Sequence, residues 1–224
     1  MIIIKILLII SMFFNHQSLY SEGNLMESFK IMQIPENIKS FMMGKTIHED
    51  SIISFDDLRY LKIKYFGYDD SDHMGEIIVY KDIAEEVVSI FKELYENKFP
   101  IEKMKLPDYY GGDDEESMRD NNTSGFNDRP INSTLRSYHQ FGLAIDINPL
   151  YNPFIIFDTD HVKPSNAREY LDRSKDLKGM INSSGICVRV FKKYGWAWGG
   201  DWIYCKDYQH FEKQNLLDIR TFGK

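Results

Sequence analysis

The chain has 224 residues, of which 43% are hydrophobic and 14% aromatic. This is enough apolar material for a packed core in one domain of ordinary size, so wholesale disorder is excluded. With 27 Lys+Arg against 34 Asp+Glu, the net charge of −7 argues against a nucleic-acid binder that relies on a broad basic face. Two cysteines cannot form a four-cysteine zinc site, so any metal site must use histidines and carboxylates.

The N-terminus has the order of a secretory signal. Lys5 precedes a short apolar run from Ile6 to Phe14, and a polar stretch then leads to the small residue Ser21. The run is shorter than the roughly 20 apolar residues that span a bilayer. We therefore predict a signal peptide over residues 1–21 and a periplasmic or secreted protein without a membrane span after cleavage. A buried N-terminal strand or an uncleaved anchor is the alternative.

The remaining elements follow in chain order. Alternating apolar residues predict strands over residues 61–66 and 76–80, and an apolar stripe at helical spacing predicts a helix over residues 82–97. A strand over residues 101–106 and a helix over residues 184–194, stopped by Gly195, come later. Together they predict an α+β fold of one domain, in which helices pack on a small, mostly antiparallel sheet.

Two parts of the chain leave alternatives open. Residues 107–138 are polar and rich in Gly, Asp and Asn, and so long a stretch in a compact domain indicates either a function or disorder. Its acidic residues 113–116 lack the spacing of an EF-hand loop, so a solvated loop is expected there. In an exported chain, Cys187 and Cys205 form either one disulfide or two separate buried thiols.

Two of the six histidines have unusual surroundings. His139 is followed by Asp146 on an apolar, strand-like segment, and Gly142 between them allows backbone to approach closely. A carboxylate on such a strand is costly unless it is paired or binds a metal. His210 stands three residues after Asp207, between aromatic residues. Each half alone also fits a buried group satisfied by hydrogen bonds, but together they supply the ligands and the base of a catalytic zinc site.

These motifs indicate a family. The pattern S-x-H-x-x-G-x-A-x-D over residues 137–146, followed later by G-W-x-W-G-G-D-W over 195–202 and D-x-x-H-F over 207–211, resembles the zinc D-alanyl-D-alanine carboxypeptidase family. That family also includes D-Ala-D-Ala dipeptidases and L-alanyl-D-glutamate endopeptidases. The likeness extends from about residue 55 to residue 212. It implies a fold like that of Hedgehog and DD-peptidase domains.

The resemblance also implies roles for individual residues. It implies Zn²⁺ as the cofactor, bound by His139, Asp146 and His210. It makes Asp207 the general base that accepts a proton from water. It makes Arg129 the counterpart of an arginine that steadies the substrate carbonyl and its oxyanion.

Arg136 and Arg119 are rivals for the role of Arg129, although each also fits a solvated surface charge. The motifs of the metal site do not describe the walls of the pocket, where substrate specificity is determined. We expect the segment from residue 111 to residue 129 to form one of these walls. We divide the chain into a signal peptide (1–21), an N-terminal extension (22–54) and a zinc peptidase domain (55–224).

The function expected from this resemblance is an exported zinc metallopeptidase that hydrolyses peptidoglycan stem peptides. Carboxypeptidase action on terminal D-Ala-D-Ala is the first expectation. Endopeptidase action between L-Ala and D-Glu is an alternative within the family. A non-catalytic module that binds cell-wall peptide is the alternative from another class. Stem peptides are the expected partners, and nucleic acids are not.

Overall fold

The structure is a computed structural model that describes residues 28–129 and 136–216. The predicted signal peptide over residues 1–21 lies outside the described residues. In the described ranges, no helix is long and apolar enough to cross a membrane.

The largest sheet is built on a long hairpin. β2 (Leu58–Gly67) and β3 (Asp72–Tyr80) pair antiparallel along their full length, and they contain the two predicted strands. β1 (Phe29–Met32) pairs antiparallel with β2, and β4 (Pro100–Ile101) pairs parallel with its last residues. The alternation of buried and exposed residues along β2 explains why the sequence pattern predicts a strand here.

The other strands are short and form three smaller sheets. They are β5 (Lys103–Met104), β6 (Asn122–Thr123), β7 (Ala144–Asp146), β8 (Phe154–Ile156), β9 (Val162–Lys163), β10 (Ala197–Trp198), β11 (Cys205–Asp207) and β12 (His210–Glu212). The orders β10-β12-β7 and β11-β8-β9 are antiparallel, and β5 pairs with β6 in parallel. The strand predicted over 101–106 is split, because β4 joins β2 whereas β5 joins β6.

In the part of the chain that the structure describes, four α-helices accompany the sheets. They are α1 (Glu36–Met42), α2 (Ala84–Glu96), α3 (Asp114–Arg119) and α4 (Ile186–Lys193). A 3₁₀ turn over Lys81–Ile83 precedes α2, so the α-helix begins slightly later than predicted. α2 buries Val87, Phe91 and Leu94 in the core beside the main sheet. The fold is α+β with mostly antiparallel sheets, as predicted.

The described part of the predicted N-terminal extension contributes to this core. Ile34, Met42 and Ile47 are buried in the same cluster as the main sheet, and β1 extends that sheet by one strand. The described residues before position 54 thus pack as part of one domain. The predicted boundary between extension and peptidase domain at residue 54 stays a prediction.

The polar stretch after residue 107 is largely folded inward. It holds a 3₁₀ turn over Pro107–Tyr110, then α3 and β6, and Asn122 is fully buried. The side chain of Asn122 accepts a bond from Lys105 N at 2.8 Å and donates one to Lys105 O at 3.0 Å. The polar side chains therefore supply hydrogen-bond partners for buried backbone groups. The backbone of a solvated loop does not need such partners, because water bonds to it. Residues 130–135 of the stretch lie outside the described residues.

The two cysteines occupy different environments. Cys187 is buried in α4, and Cys205 lies on β11. Both are free thiols in the structure.

Candidate metal centre

Two paired strands hold two of the predicted ligands opposite each other. Asp146 ends β7 and His210 begins β12, and the register of this antiparallel pair makes them direct partners. On its other side, Asp146 exchanges backbone hydrogen bonds with Ser124, at 2.9 and 3.1 Å. The backbone of Asp146 is thus fixed from both sides, and both side chains are buried.

A short turn presents the third predicted ligand. His139 lies in a 3₁₀ turn over Tyr138–Phe141, and its backbone N–H donates to the Ser137 hydroxyl at 3.2 Å. The turn ends at Gly142 with φ of 67°. A Cβ at Gly142 would lie 2.6 Å from the backbone nitrogen of Tyr80, so the close approach predicted from the sequence is confirmed.

The three side chains converge. His139 Nε2 lies 3.2 Å from an Asp146 oxygen and 3.2 Å from His210 Nδ1, and His210 Nδ1 lies 3.1 Å from the other Asp146 oxygen. Nitrogen and oxygen ligands about 2.0–2.1 Å from a tetrahedral zinc ion are about 3.3 Å apart. All candidate ligand atoms lie within 4.8 Å of one another. The spacing therefore fits one metal ion.

The hydrogen bonds of the two imidazoles support the same conclusion. His139 Nδ1 donates to the carbonyl oxygen of Gly125 at 2.7 Å, and His210 Nε2 donates to Glu212 at 3.1 Å. Both partners accept only, so each ring in its neutral form would carry its proton on the outer nitrogen and present a lone pair inward. A divalent metal would replace the inner proton between the two imidazoles and the carboxylate of Asp146, so the donor set fits such an ion.

The electrostatics of the cluster also favour positive charge. Burial opposes ionisation of Asp146, but the two histidines outweigh it and hold the pKa of this carboxyl well below its ordinary value. Burial lowers the pKa of His210, yet the carboxylates of Asp146 and Glu212 outweigh this effect and raise it to about 10. The positive imidazoles lower the pKa of Asp146 and the carboxylates raise the pKa of His210, so a positive charge is favoured between these groups.

The predicted base lies at a corner of the chain beside the cluster. Asp207 ends β11, and three residues later β12 begins in a different sheet with His210. The Oδ1 atom of Asp207 is buried without a hydrogen-bond partner among the described residues. Burial raises the pKa of this carboxyl to about 7, against the opposing charge of His210. Gly199 passes so close that a Cβ there would lie 2.6 Å from the Asp207 carbonyl oxygen.

Arg129 is held by an acidic residue that the sequence analysis assigned to solvent. Asp113 caps α3 by accepting a bond from Glu116 N at 3.0 Å, but Asp114 points into the cavity and pairs with Arg129 Nη2 at 2.7 Å. The expectation of a solvated loop over 113–116 was wrong for Asp114, because helix α3 turns it inward. Arg129 Nε is buried and has no hydrogen-bond partner in the described part of the chain.

A cavity of about 510 Å³ opens over the cluster. Its walls are Asp114, Met118, Arg129, Arg136, Ser137, Tyr138, His139, Asp146, Phe154, Lys163, Trp202, Cys205, Asp207, Gln209, His210 and Glu212. All five predicted site residues therefore reach one space. Arg136 lies at its edge and is exposed, whereas Arg119 is exposed elsewhere. Part of the segment from residue 111 to residue 129 forms a wall, as expected.

Three charged residues of the cavity, namely Glu212, Asp114 and Lys163, were not predicted as site residues. Glu212 stands two residues after His210, and alternation along a strand puts both on one face, so this signal was present in the sequence. Asp114 and Lys163 gave no such signal, because only the tertiary fold brings them to the metal ligands.

Residues 131–213 match the family model described as D-alanyl-D-alanine carboxypeptidase. No curated protein and no solved structure gives a significant match to the chain. The matched segment contains the three candidate ligands and Asp207, whereas Asp114 and Arg129 precede it. The match confirms the predicted resemblance: the segment that builds the candidate metal centre is similar to D-alanyl-D-alanine carboxypeptidases.

Proposed function

We propose that this protein is a zinc-dependent carboxypeptidase that removes the terminal D-alanine from peptidoglycan stem peptides. The observation that carries the proposal is the buried cluster of His139, Asp146 and His210, whose candidate ligand atoms converge in a cavity beside the buried Oδ1 of Asp207 and the buried Nε of Arg129. The family match supports a peptidase of cell-wall peptides. A cavity of this size also suits the end of a short peptide.

A zinc ion held by His139, Asp146 and His210 would supply a water of lowered pKa and polarise the scissile carbonyl. Asp207 accepts the proton of the attacking water and later gives it to the leaving amine. A base works best with a pKa near the working pH, and burial gives Asp207 a pKa of about 7. Its buried Oδ1 atom is available for this proton, since no described residue bonds to it.

Arg129 stabilises the negative charge that develops on the carbonyl oxygen. Its Nη2 is held by Asp114, while its buried Nε keeps a free N–H for the substrate. A fixed donor needs no reorganisation as the charge develops, and removing one such donor from a peptidase costs about 3–4 kcal/mol of transition-state stabilisation. Asp114 therefore orients the guanidinium and does not itself touch the reacting atoms.

We also propose that residues 1–21 export the protein to the periplasm or the medium, where peptidoglycan is accessible. The N-terminal sequence and the cell-wall substrates of the family support this localisation.

The test is mass spectrometry of purified muropeptides after incubation with the chain lacking residues 1–21. The proposal expects loss of one alanine, prevented by a chelator and restored by zinc. Asp207→Ala should retain zinc and lose turnover, while Asp50→Ala, an exposed aspartate outside the cavity, should behave as wild type.

The other outcomes have distinct meanings. Cleavage between L-Ala and D-Glu would replace the carboxypeptidase by the endopeptidase activity. Stoichiometric zinc without cleavage of any muropeptide would instead indicate a binding module.

A further inference from the structure

One cation in the interior of the cavity has no ion-pair partner among the residues that the structure describes. Arg129 is paired with Asp114 at 2.7 Å, and Arg136 is exposed at the edge. Lys163 is half-buried in the wall, and its ammonium group has neither a hydrogen bond nor an ion pair with any residue that the structure describes. An ammonium has three donors to satisfy, so this position favours an anionic group from a ligand.

The backbone around Lys163 is fixed on two sides. In β9 it pairs with Phe154 of β8, which also lines the cavity. Two residues later, Ser165 N donates to Glu115 of α3 at 2.7 Å, and α3 is the helix that carries Asp114. Lys163 therefore stands in a wall that is tied to the same helix as the Arg129 pair.

Its charge acts at the reacting end of the cavity. Burial raises the pKa of Asp114, and the positive charges of Arg129 and Lys163 oppose this effect, as does His139. The Lys163 ammonium thus lies near enough to the Arg129 pair for its field to be felt there. A substrate carbonyl held at Arg129 would have its next residue about 3.3–3.6 Å of chain further on, in the cavity that Lys163 also lines.

We propose that Lys163 binds the free carboxylate of the residue released by the reaction. This inference rests on the proposed peptidase function and names the group that the leaving side of the substrate must carry. Two sources share this chemistry, namely the terminal carboxylate of D-alanine and the α-carboxylate of D-glutamate after an L-Ala-D-Glu bond. Both would pair with the ammonium one residue beyond the scissile bond.

The experiment compares substrates with and without the charge. Zinc-loaded protein is assayed with acetyl-L-Lys-D-Ala-D-Ala and its C-terminal amide, and with L-Ala-D-γ-Glu-L-Lys, whose γ-carboxyl is amide-linked to lysine, and its D-Glu α-amide. For the cleaved pair, wild type should prefer the free acid by about 10- to 100-fold in kcat/KM, the range for hydrogen bonds to charged groups. Lys163→Met should lower the rate for the acid to that for the amide, and Lys163→Arg should recover part of the preference.

One lysine variant and one arginine variant serve as controls. Lys175→Met removes an exposed lysine that does not line the cavity, and it should keep the acid preference. Arg136→Met should also keep it. If Lys163→Met keeps the preference, or if wild type cleaves acid and amide equally well, the proposal is overturned. Loss of the preference in Arg136→Met alone would overturn it in favour of Arg136.

A failure of the proposed function gives a different result. If wild type cleaves none of the four peptides, calorimetric binding of each acid and its amide to the zinc-loaded protein still tests Lys163. If wild type binds an acid more tightly than its amide and Lys163→Met loses this preference, the carboxylate site is supported although the proposed peptidase activity is not. Equal affinities, or no binding of either form, overturn it.

Discussion

Glu212 should determine how tightly the candidate centre holds zinc, because both of its carboxylate oxygens are used. Oε2 accepts from His210 at 3.1 Å, and Oε1 accepts from Gln214 at 2.6 Å. The side chain is 7% exposed, and its register partners in the sheet are Ala144 and Ala197, whose methyl groups offer no acceptor. In Glu212→Ala, the outer N–H of His210 therefore loses its partner in a buried site.

The magnitude follows from that loss. An unpartnered buried donor costs about 1–3 kcal/mol. Removal of a group that orients a metal-bound histidine lowers metal affinity by about 10- to 100-fold, which is about 1.4–2.7 kcal/mol. Glu212→Gln keeps the shape and one carbonyl oxygen for His210 but removes the charge. We expect its zinc affinity to fall about tenfold or less, between those of wild type and Glu212→Ala.

The assay is a competition titration of zinc against a chromophoric chelator, made on protein stripped of metal. Glu96→Ala, an exposed glutamate on α2, is the matched control and should bind zinc as wild type does. Zinc affinity of Glu212→Ala within twofold of wild type would refute the reasoning. Equal losses in the Ala and Gln variants would show that the charge, and not the hydrogen bond, supports the metal.

Three further changes separate the roles of groups around the cluster. Asp114→Asn releases Arg129 and should lower kcat about tenfold or more at unchanged zinc affinity, measured by steady-state kinetics beside a metal titration; an unchanged kcat would contradict the pairing. Gly199→Ala displaces the backbone of Asp207, so turnover should fall about a hundredfold with zinc still bound, and wild-type turnover would show that the close approach is unimportant. Asp207→Asn removes an acid whose pKa burial raises from 3.8 to about 7. Ionising such an acid in the folded protein costs stability as the pH rises from about 4 to 7. Scanning calorimetry in the presence of a chelator should therefore give the variant a melting temperature about 5 °C or more above that of wild type at pH 8, and the same melting temperature at pH 4. A lower melting temperature of the variant at pH 8 would contradict this.

Local sequence patterns predict the elements whose stability depends on one buried face. The hairpin of β2 and β3 and the helices α2 and α4 follow from apolar spacing, and Gly195 stops α4 with φ of 76° as expected. β1 has mixed exposure along four residues and is stabilised by pairing with β2, so its own sequence carries little signal.

The same distinction applies to the candidate centre. The ligands and Asp207 lie in short motifs that resemblance identifies from the sequence. Asp114 and Lys163 are found only in the fold, because each reaches the cavity through a contact between distant segments: α3 with Arg129, and β9 with both β8 and α3. A run of acidic residues has the same composition whether it faces water or an arginine.

The pairing of β7 with β12 allows the substrate pocket to change while two of the candidate metal ligands stay in place. Asp146 and His210 are 64 positions apart in the chain but directly opposite in the sheet. The intervening excursion leaves these two strands and supplies Phe154, Lys163 and Trp202 to the cavity wall. Backbone register sets the distance between the two ligands, so insertions or substitutions in the excursion can reshape the substrate pocket without moving them. Such an arrangement would allow the same pair of candidate ligands to be combined with different pocket walls over evolutionary time.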